Sequence, residues 1–260
     1  MKRFVYTIRS LGNSGGLERV CINKANWLVS KGYGVTIITE DAAGCFYQVD
    51  SRIRILSLNI AKKISDNLIK RLWRFLLFSI EYWLKISRFL REIKPDAVIS
   101  MNARDFYILP FLNKRSKKIY EFHWIVSQPG KKKGNGSLVE RVAKKFADII
   151  GNNYDSIVLL AQKDKEHIDN EWKNVKVIPN ALTFSCDIPA TLSESSAIAV
   201  GNLFHVKGFS RLIDVWSIVH ERYPDCTLSI YGELVYGDCL CTRYEIGLCQ
   251  YARFYCSVTY

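Results

Sequence analysis

The chain has 260 residues, 48% of them hydrophobic, with 37 lysines and arginines against 25 acidic residues. That length and apolar content allow one large domain or two modest ones with true cores. They leave out a membrane-spanning helix, since no stretch approaches the roughly 20 apolar residues needed, and the first apolar run is too short for a secretory signal. The expected compartment is therefore the cytoplasm, where disulfides are rare.

Charge is distributed unevenly. Residues 1–150 hold 28 basic and 12 acidic side chains, whereas residues 151–260 hold 9 and 13. A basic first part beside a mildly acidic second part suggests two domains, the first facing something anionic. A phosphate-bearing substrate, an anionic membrane face or simply a solubilising surface would each fit. Nucleic acid is not expected as a partner, because no recognised motif with base-stacking aromatics accompanies the basic residues.

Along the chain, β-rich apolar runs bounded by turns occur at 3–8, 34–39, 53–58, 96–101, 118–122, 156–160 and 175–178. Helical patterns lie between them at about 16–31, 66–93, 104–114, 137–150 and 162–170. Such βαβα alternation implies a parallel sheet covered on both faces. The helix at 66–93 is the longest, with Lys70, Arg71, Arg74, Glu81, Lys85, Arg88, Arg91 and Glu92 within less than half of the wheel. Leu68, Leu72, Phe75, Leu76, Trp83, Ile86 and Leu90 fill the other. It reads either as a helix packed on its sheet or as a basic, aromatic surface that lies on an anionic membrane. After "IPN" at 178–180, a polar stretch to about 196 reads as a linker. A second unit opens with a strand at 197–201, a helix at 207–222 bearing the apolar stripe Phe209, Leu212, Ile213, Trp216 and Val219, and a strand at 226–231.

The expected domains are thus an N-terminal Rossmann-like domain over 1–185, a linker over 186–196 and the opening βαβ of a second such domain over 197–233. Residues 234–260 form an aberrant Cys- and Tyr-rich tail. The tail contains Cys239, Cys241, Cys249 and Cys256 in a spacing unlike that of zinc sites. Its periodicity is weak, and the expectation is that it is out of register with the domain it follows and packs poorly. A doubly wound half usually takes roughly 100–150 residues, so the second domain reads as C-terminally truncated.

Three places can carry chemistry. "TIRSLGNSGGLERV" puts Gly15 and Gly16 at a strand-to-helix turn, where backbone N–H groups can approach an anion. A plain tight turn is the competing reading. Glu40 and Asp41 are the acidic residues nearest the end of the second strand. "AVGNLFHVKGFSRLI" repeats the arrangement in the second unit, and Lys207 at the start of its helix could neutralise a diphosphate or merely decorate the helix end. "KIYEFHWIV" places His123 just beyond a strand's carboxyl end, where open α/β sheets bind ligands, the competing reading being a structural histidine beside Phe122 and Trp124. No histidine pair has metal-ligand spacing.

With those residues in view, the chain resembles the family-4 glycosyltransferases, whose GT-B fold sets two Rossmann-like domains across a cleft. "GGLERV" at 15–20, "EFH" at 121–123, "VIPN" at 177–180, "VGNLFHVKGFSRLIDVW" at 200–216 and "LSIYGE" at 228–233 follow the family's order. The resemblance implies a hexosyltransferase-class enzyme that moves a sugar from a nucleotide-sugar to a glycan or lipid-linked acceptor with retention. Surface polysaccharide is the expected product, the donor is a substrate, and no cofactor or metal is implied. It further implies that Gly15, Gly16, Asn202 and Lys207 lie near the donor diphosphate, that His123 is the catalytic residue lining the reacting centre, and that a turn at Gly232 borders the base. Asn202 stands where the family usually has arginine, and the family's paired-glutamate motif is absent, so activity is expected to be impaired. The alternative is a non-catalytic basic module that binds membrane or glycan, peripheral at the inner membrane face.

Overall fold

Strand β1 (Arg3–Ile8) feeds two cores at once: Val5 points into one, Tyr6 and Ile8 into the other, and all three are buried. Alternate residues of a strand face opposite sides of the sheet, so an apolar run buried on both sides marks a central strand of a parallel sheet. The computed structural model describes residues 1–60, 68–112, 115–123, 138–167, 172–182, 188, 191, 193–201, 207–235 and 253–259, with side chains excepted at 68–76, 138–140, 233–235 and 253–259. The chain divides into two units, Met1–Phe184 and Ser185–Tyr260.

In the first unit β1 is followed by α1 (Gly16–Ser30), β2 (Gly34–Thr39), β3 (Arg54–Ser57), α2 (Leu68–Ile93) and β4 (Ala97–Ser100). Next come α3 (Asp105–Ile108) with a 3-10 turn at Leu109–Phe111, β5 (Lys117–Glu121), α4 (Leu138–Asn152), β6 (Ser156–Leu159), α5 (Gln162–His167) and β7 (Val175–Val177). The seven strands are parallel in the order β3-β2-β1-β4-β5-β6-β7. The order reverses between β1 and β4, the place where open α/β sheets leave a crevice at their carboxyl edge. One face is covered by α1 through Cys21, Ile22, Ala25 and Val29. The other carries Ile86 and Leu90 from α2, Phe106 from α3 and Ile150 from α4 in a single cluster.

The wheel expectation for α2 is met at Ile86 and Leu90, but Tyr82 is the third buried anchor and Trp83 remains 46% exposed. Tyr82 lies inside because its hydroxyl donates to the Asp105 carboxylate. Asp105 is fully buried and also accepts hydrogen bonds from Thr7 on β1 and from Ser100 on β4, the latter at 2.7 Å. Its backbone carbonyl accepts the Tyr154 hydroxyl at 2.8 Å. Burial nevertheless raises the Asp105 carboxyl above the usual carboxylate range, against the pull of its three hydroxyl donors.

The second unit contains β8 (Ser196–Val200), α6 (Phe209–Arg222), β9 (Thr227–Val235) and β10 (Arg253–Thr259), parallel in the order β10-β9-β8. Phe209 and Ile213 of α6 pack on Leu228 and Ile230, so the expected apolar stripe does meet the sheet. On the opposite face Ile198 and Val200 stand 68% and 75% exposed. Two sequence expectations differ from what is seen here. Gly232 lies within β9, opposite Cys256, rather than at a turn, because the strand continues to Val235 along β10. Part of the tail is thus a strand, although its side chains lie outside those described.

Replacing Asp105 by Asn strands one of the three hydroxyl donors against an amide NH2, and is expected to lower stability by about 2 kcal/mol in denaturant titrations at pH 7. A carboxyl whose folded pKa is raised loses stabilising influence as pH climbs from about 4 through its folded value. That downward slope should vanish in Asp105→Asn; an unchanged slope would assign it to another group.

Candidate active site at the carboxyl edge

Helix α1 begins without a side-chain cap. Gly15 occupies the cap position in an extended conformation, and its carbonyl accepts the first helical bond from the Arg19 N–H at 3.2 Å. The amides of the first turn therefore lack a side-chain partner of the usual Ser, Thr or Asp type. The three glycines of this turn are not equivalent. A Cβ on Gly12 would come within 2.8 Å of Ala43 Cβ and 3.3 Å of the Gly44 carbonyl, so close packing of two loops requires glycine there. At Gly15 an added Cβ meets first the movable carboxylate of Glu18, which Asn13 contacts at 3.3 Å. At Gly16 it would meet nothing within 4 Å. Neither crowding nor backbone angle accounts for Gly16, which leaves open space before the helix's positive end.

His123 follows β5 by two residues at the same edge. Its Nε2 lies 3.0 Å from Glu121 Oε2, and the Lys24 ammonium donates to the same oxygen at 2.7 Å. Glu121 and His123 keep only 8% and 5% side-chain exposure, so α1 and β5 are tied by a nearly dry carboxylate. Burial alone would raise the Glu121 carboxyl; the hydrogen bond from His123 and the neighbouring Lys24 charge outweigh it and hold it below the usual range. With Nε2 engaged, Nδ1 is the ring atom left to meet a ligand.

Glu40 is buried at the end of β2, where it accepts from Asn102 Nδ2 at 2.8 Å and Arg104 at 3.0 Å. It ties β2 to the segment after β4, so its carboxylate is already occupied. Asp41 turns its carboxylate toward the Ala43 amide at 3.3 Å. In the first unit, then, Gly15, Gly16 and His123 share the carboxyl edge, with β4 between their parent strands. At about 4.8 Å per strand, β1 and β5 are about 10 Å apart.

In the second unit Lys207 is exposed immediately before Gly208, whose φ of 72° and ψ of 23° suit glycine alone at the start of α6. Asn202 lies outside the described residues. Among the described residues no group of His, Cys, Asp and Glu is arranged to hold a metal ion. A cavity of about 590 Å³ that the sequence did not suggest opens between α1 and the sheet, lined by Phe4, Tyr6, Trp27, Ile99 and Leu182 with Lys24 in its wall. None of the residues expected to bind a donor lines it.

Gly12→Ala should cost about 1–3 kcal/mol, since backbone must move. Gly16→Ala should leave the melting temperature unchanged or slightly raised. Equal losses at both positions would remove the distinction between a packing glycine and a site glycine. Lys24→Met leaves the Glu121 charge buried with one partner fewer and should cost about 2–3 kcal/mol at pH 7. A depressed folded pKa gives stability that is present above about pH 4.3 and lost as pH falls through the folded value. This acid-side loss should shrink in Lys24→Met, as read by unfolding titrations between neutral and acid pH.

Residues 14–183 match the profile of Glycosyltransferase Family 4. An uncharacterized glycosyltransferase of Haemophilus influenzae is 31% identical over 238 residues, which cover 89% of this chain and 62% of that protein. The amylovoran biosynthesis glycosyltransferase AmsD of Erwinia amylovora is 24% identical over 236 residues, covering 85% of this chain and 60% of its own length. The chain thus spans less than two thirds of both relatives. Among solved structures, TarM superposes with a TM-score of 0.72 at 12% identity, covering the whole of this chain and 77% of TarM. WaaG, a glycosyltransferase involved in lipopolysaccharide biosynthesis, gives a TM-score of 0.61 at 15% identity, over 98% of this chain and 70% of WaaG. The family match over residues 14–183, more than half the chain, places this protein in Glycosyltransferase Family 4, and the superposition on TarM gives it the GT-B type of α/β fold.

Proposed function

We propose that the chain carries the acceptor-side domain and donor-side elements of a glycosyltransferase that builds a surface polysaccharide from a nucleotide-sugar. The observation that carries this reading is the uncapped start of α1, open in front of Gly16, on the same sheet edge as the anchored ring of His123. An anion at the first and a sugar near the second would fill an edge that the described side chains leave unfilled. The relatives' names point the same way: one serves amylovoran biosynthesis. A TarM structure was obtained with UDP and α-GlcNAc-glycerol.

In this reading the bond between the anomeric carbon and the diphosphate oxygen breaks, and the nucleoside diphosphate leaves with the electron pair. The acceptor hydroxyl oxygen bonds to the anomeric carbon on the face the diphosphate has left, giving retention, and its proton passes to the departing diphosphate oxygen. The amides at Gly15 and Gly16 and the Lys207 ammonium stabilise the charge that develops on the leaving group. Asn202 cannot supply the charged, two-pronged phosphate contact that an arginine would give, so donor affinity is lower unless another group compensates. His123 lines the reacting centre, and Glu121 fixes its orientation.

Calorimetry with a panel of nucleotide-sugars tests donor binding directly. At least one is expected to bind, and Lys207→Ala should weaken it by about 10-fold or more, the effect of losing one charged phosphate contact. His123→Ala should leave donor affinity within about threefold while lowering transfer by about 100-fold, measured as nucleoside diphosphate release with acceptor present. Absence of binding across the panel would overturn the donor assignment for this chain.

A further inference from the structure

The two faces of the first unit's sheet are covered unequally. Among the described residues α1 is the only helix whose side chains join the core cluster of its face, whereas α2, α3 and α4 all join the other. α1 packs on β1 and β2, yet β4 and β5 send Ile99 and Ile119 to the same face. The cavity of about 590 Å³ lies there, beside α1 and over β1 and β4. Phe4, Tyr6 and Ile99 form its floor, Val20 and Leu28 of α1 one wall, and Leu182 the side across from them. It runs along α1 toward the amino ends of the strands, away from the glycine turn. Its volume falls within the range of small-molecule sites, about 300–1,000 Å³.

The floor holds an unmatched polar group. Tyr6 is only 3% exposed, and among the described residues its hydroxyl has no hydrogen-bond partner. Buried tyrosine hydroxyls ordinarily have one. Burial, and after it the Glu121 charge, push the phenol above its ordinary range, so it keeps its proton and remains a donor. The other polar groups of the lining are engaged. The Lys24 ammonium donates to Glu121 at 2.7 Å. Asn26 bonds the Gln48 carbonyl at 3.2 Å and the Asp50 amide at 3.0 Å. The enclosure is therefore apolar and electrically neutral, with one hydroxyl to offer.

These features select among occupants. Water suits the lining badly, because an ordered molecule needs about two to four polar partners. An anion would meet a cation that Glu121 already neutralises, and a cation would meet Lys24 itself. Either would surrender its hydration without gaining a counter-charge. A second copy laid over the mouth would cover Trp27 and Leu182, which are 59% and 90% exposed, and leave the Tyr6 hydroxyl unmatched. An uncharged amphiphile meets each demand: its apolar body buries Phe4, Val20, Ile99 and Leu182, and its oxygen accepts from Tyr6.

We propose that this cavity is a binding site for a small uncharged amphiphile, an aliphatic or aromatic body whose one hydroxyl or carbonyl oxygen sits against Tyr6. The site meets the carboxyl edge at Lys24, whose ammonium also reaches the carboxylate that holds His123. The inference does not rest on the sugar-transfer reading, because it is tested by binding and not by turnover.

The full chain is titrated with N-phenylnaphthylamine, an uncharged fluorophore that brightens in apolar surroundings. The bound probe is then displaced with decanol, decanoate or decyltrimethylammonium. Saturable binding and displacement by decanol are expected, with both charged analogues weaker by about tenfold or more. Tyr6→Phe should weaken decanol about fivefold, the worth of one neutral hydrogen bond, and leave the fluorophore within about twofold. Val20→Phe fills the volume from α1, and Ala181→Trp fills it from an exposed position that the fold does not depend on. Each should weaken both ligands by about tenfold. The pair Phe146→Ser with Ile149→Ser, on the outward apolar arc of α4 at the other face of the sheet, should change binding less than about twofold. Circular dichroism confirms that the variants fold. Uptake that does not saturate, charged analogues as effective as decanol, unchanged decanol affinity in Tyr6→Phe, undiminished binding in Ala181→Trp, or an equal loss in the α4 pair would overturn the assignment. So would a concentration-dependent dimer abolished by Leu182→Ser, which would give the mouth to a second copy.

Discussion

The carboxylate of Asp105 is the contact on which the first unit's upper edge depends. It draws hydroxyls from a central strand, the neighbouring strand and the long helix into one dry point, while its own carbonyl receives Tyr154 from the end of α4. A buried carboxylate without such donors would be strongly destabilising. With them, it fixes how β1, β4, α2 and α4 meet.

Two more carboxylates continue the pattern along the edge. Glu40 ties the end of β2 to the segment after β4, and Glu121 ties β5 to α1. Glu40 and Glu121 are thus consumed as fasteners between elements, while Asp41 turns its carboxylate to the Ala43 amide. Glu121 holds the His123 ring while Lys24 donates to the same carboxylate oxygen.

The strands and helices of the first unit are legible in the sequence because β1, β2, β4 and β6 are uninterrupted apolar runs and the intervening helices carry 3.6-residue periodicity. Their boundaries agree within a few residues. The glycine turn and His123 were also visible, one from its place between strand and helix and the other from its position just past β5. What could not be read is long-range pairing. Glu121, Lys24, Asp105 and Thr7 look like ordinary strand and helix residues, and their partners lie 97 and 98 positions away. Tyr82 was assigned no role because a wheel scores it as an aromatic among aromatics; only its hydroxyl partner sends it inward. The outward apolar arc of α4 escaped notice because composition cannot say which of two greasy faces meets the sheet. A strand at 253–259 escaped for the opposite reason, since its pairing with β9 outweighs a weak local pattern.

The bare face of β8 has a practical corollary. Ile198 and Val200 project from a parallel ribbon of which, among the described residues, the other side packs on α6. Such a ribbon is sticky as well as poorly insulated. Its amides should exchange with deuterated solvent sooner than those of β1 or β4, and handling of the purified material will be governed by this patch: concentration, freezing and warm storage should all drive clumping that begins at residues 196–200.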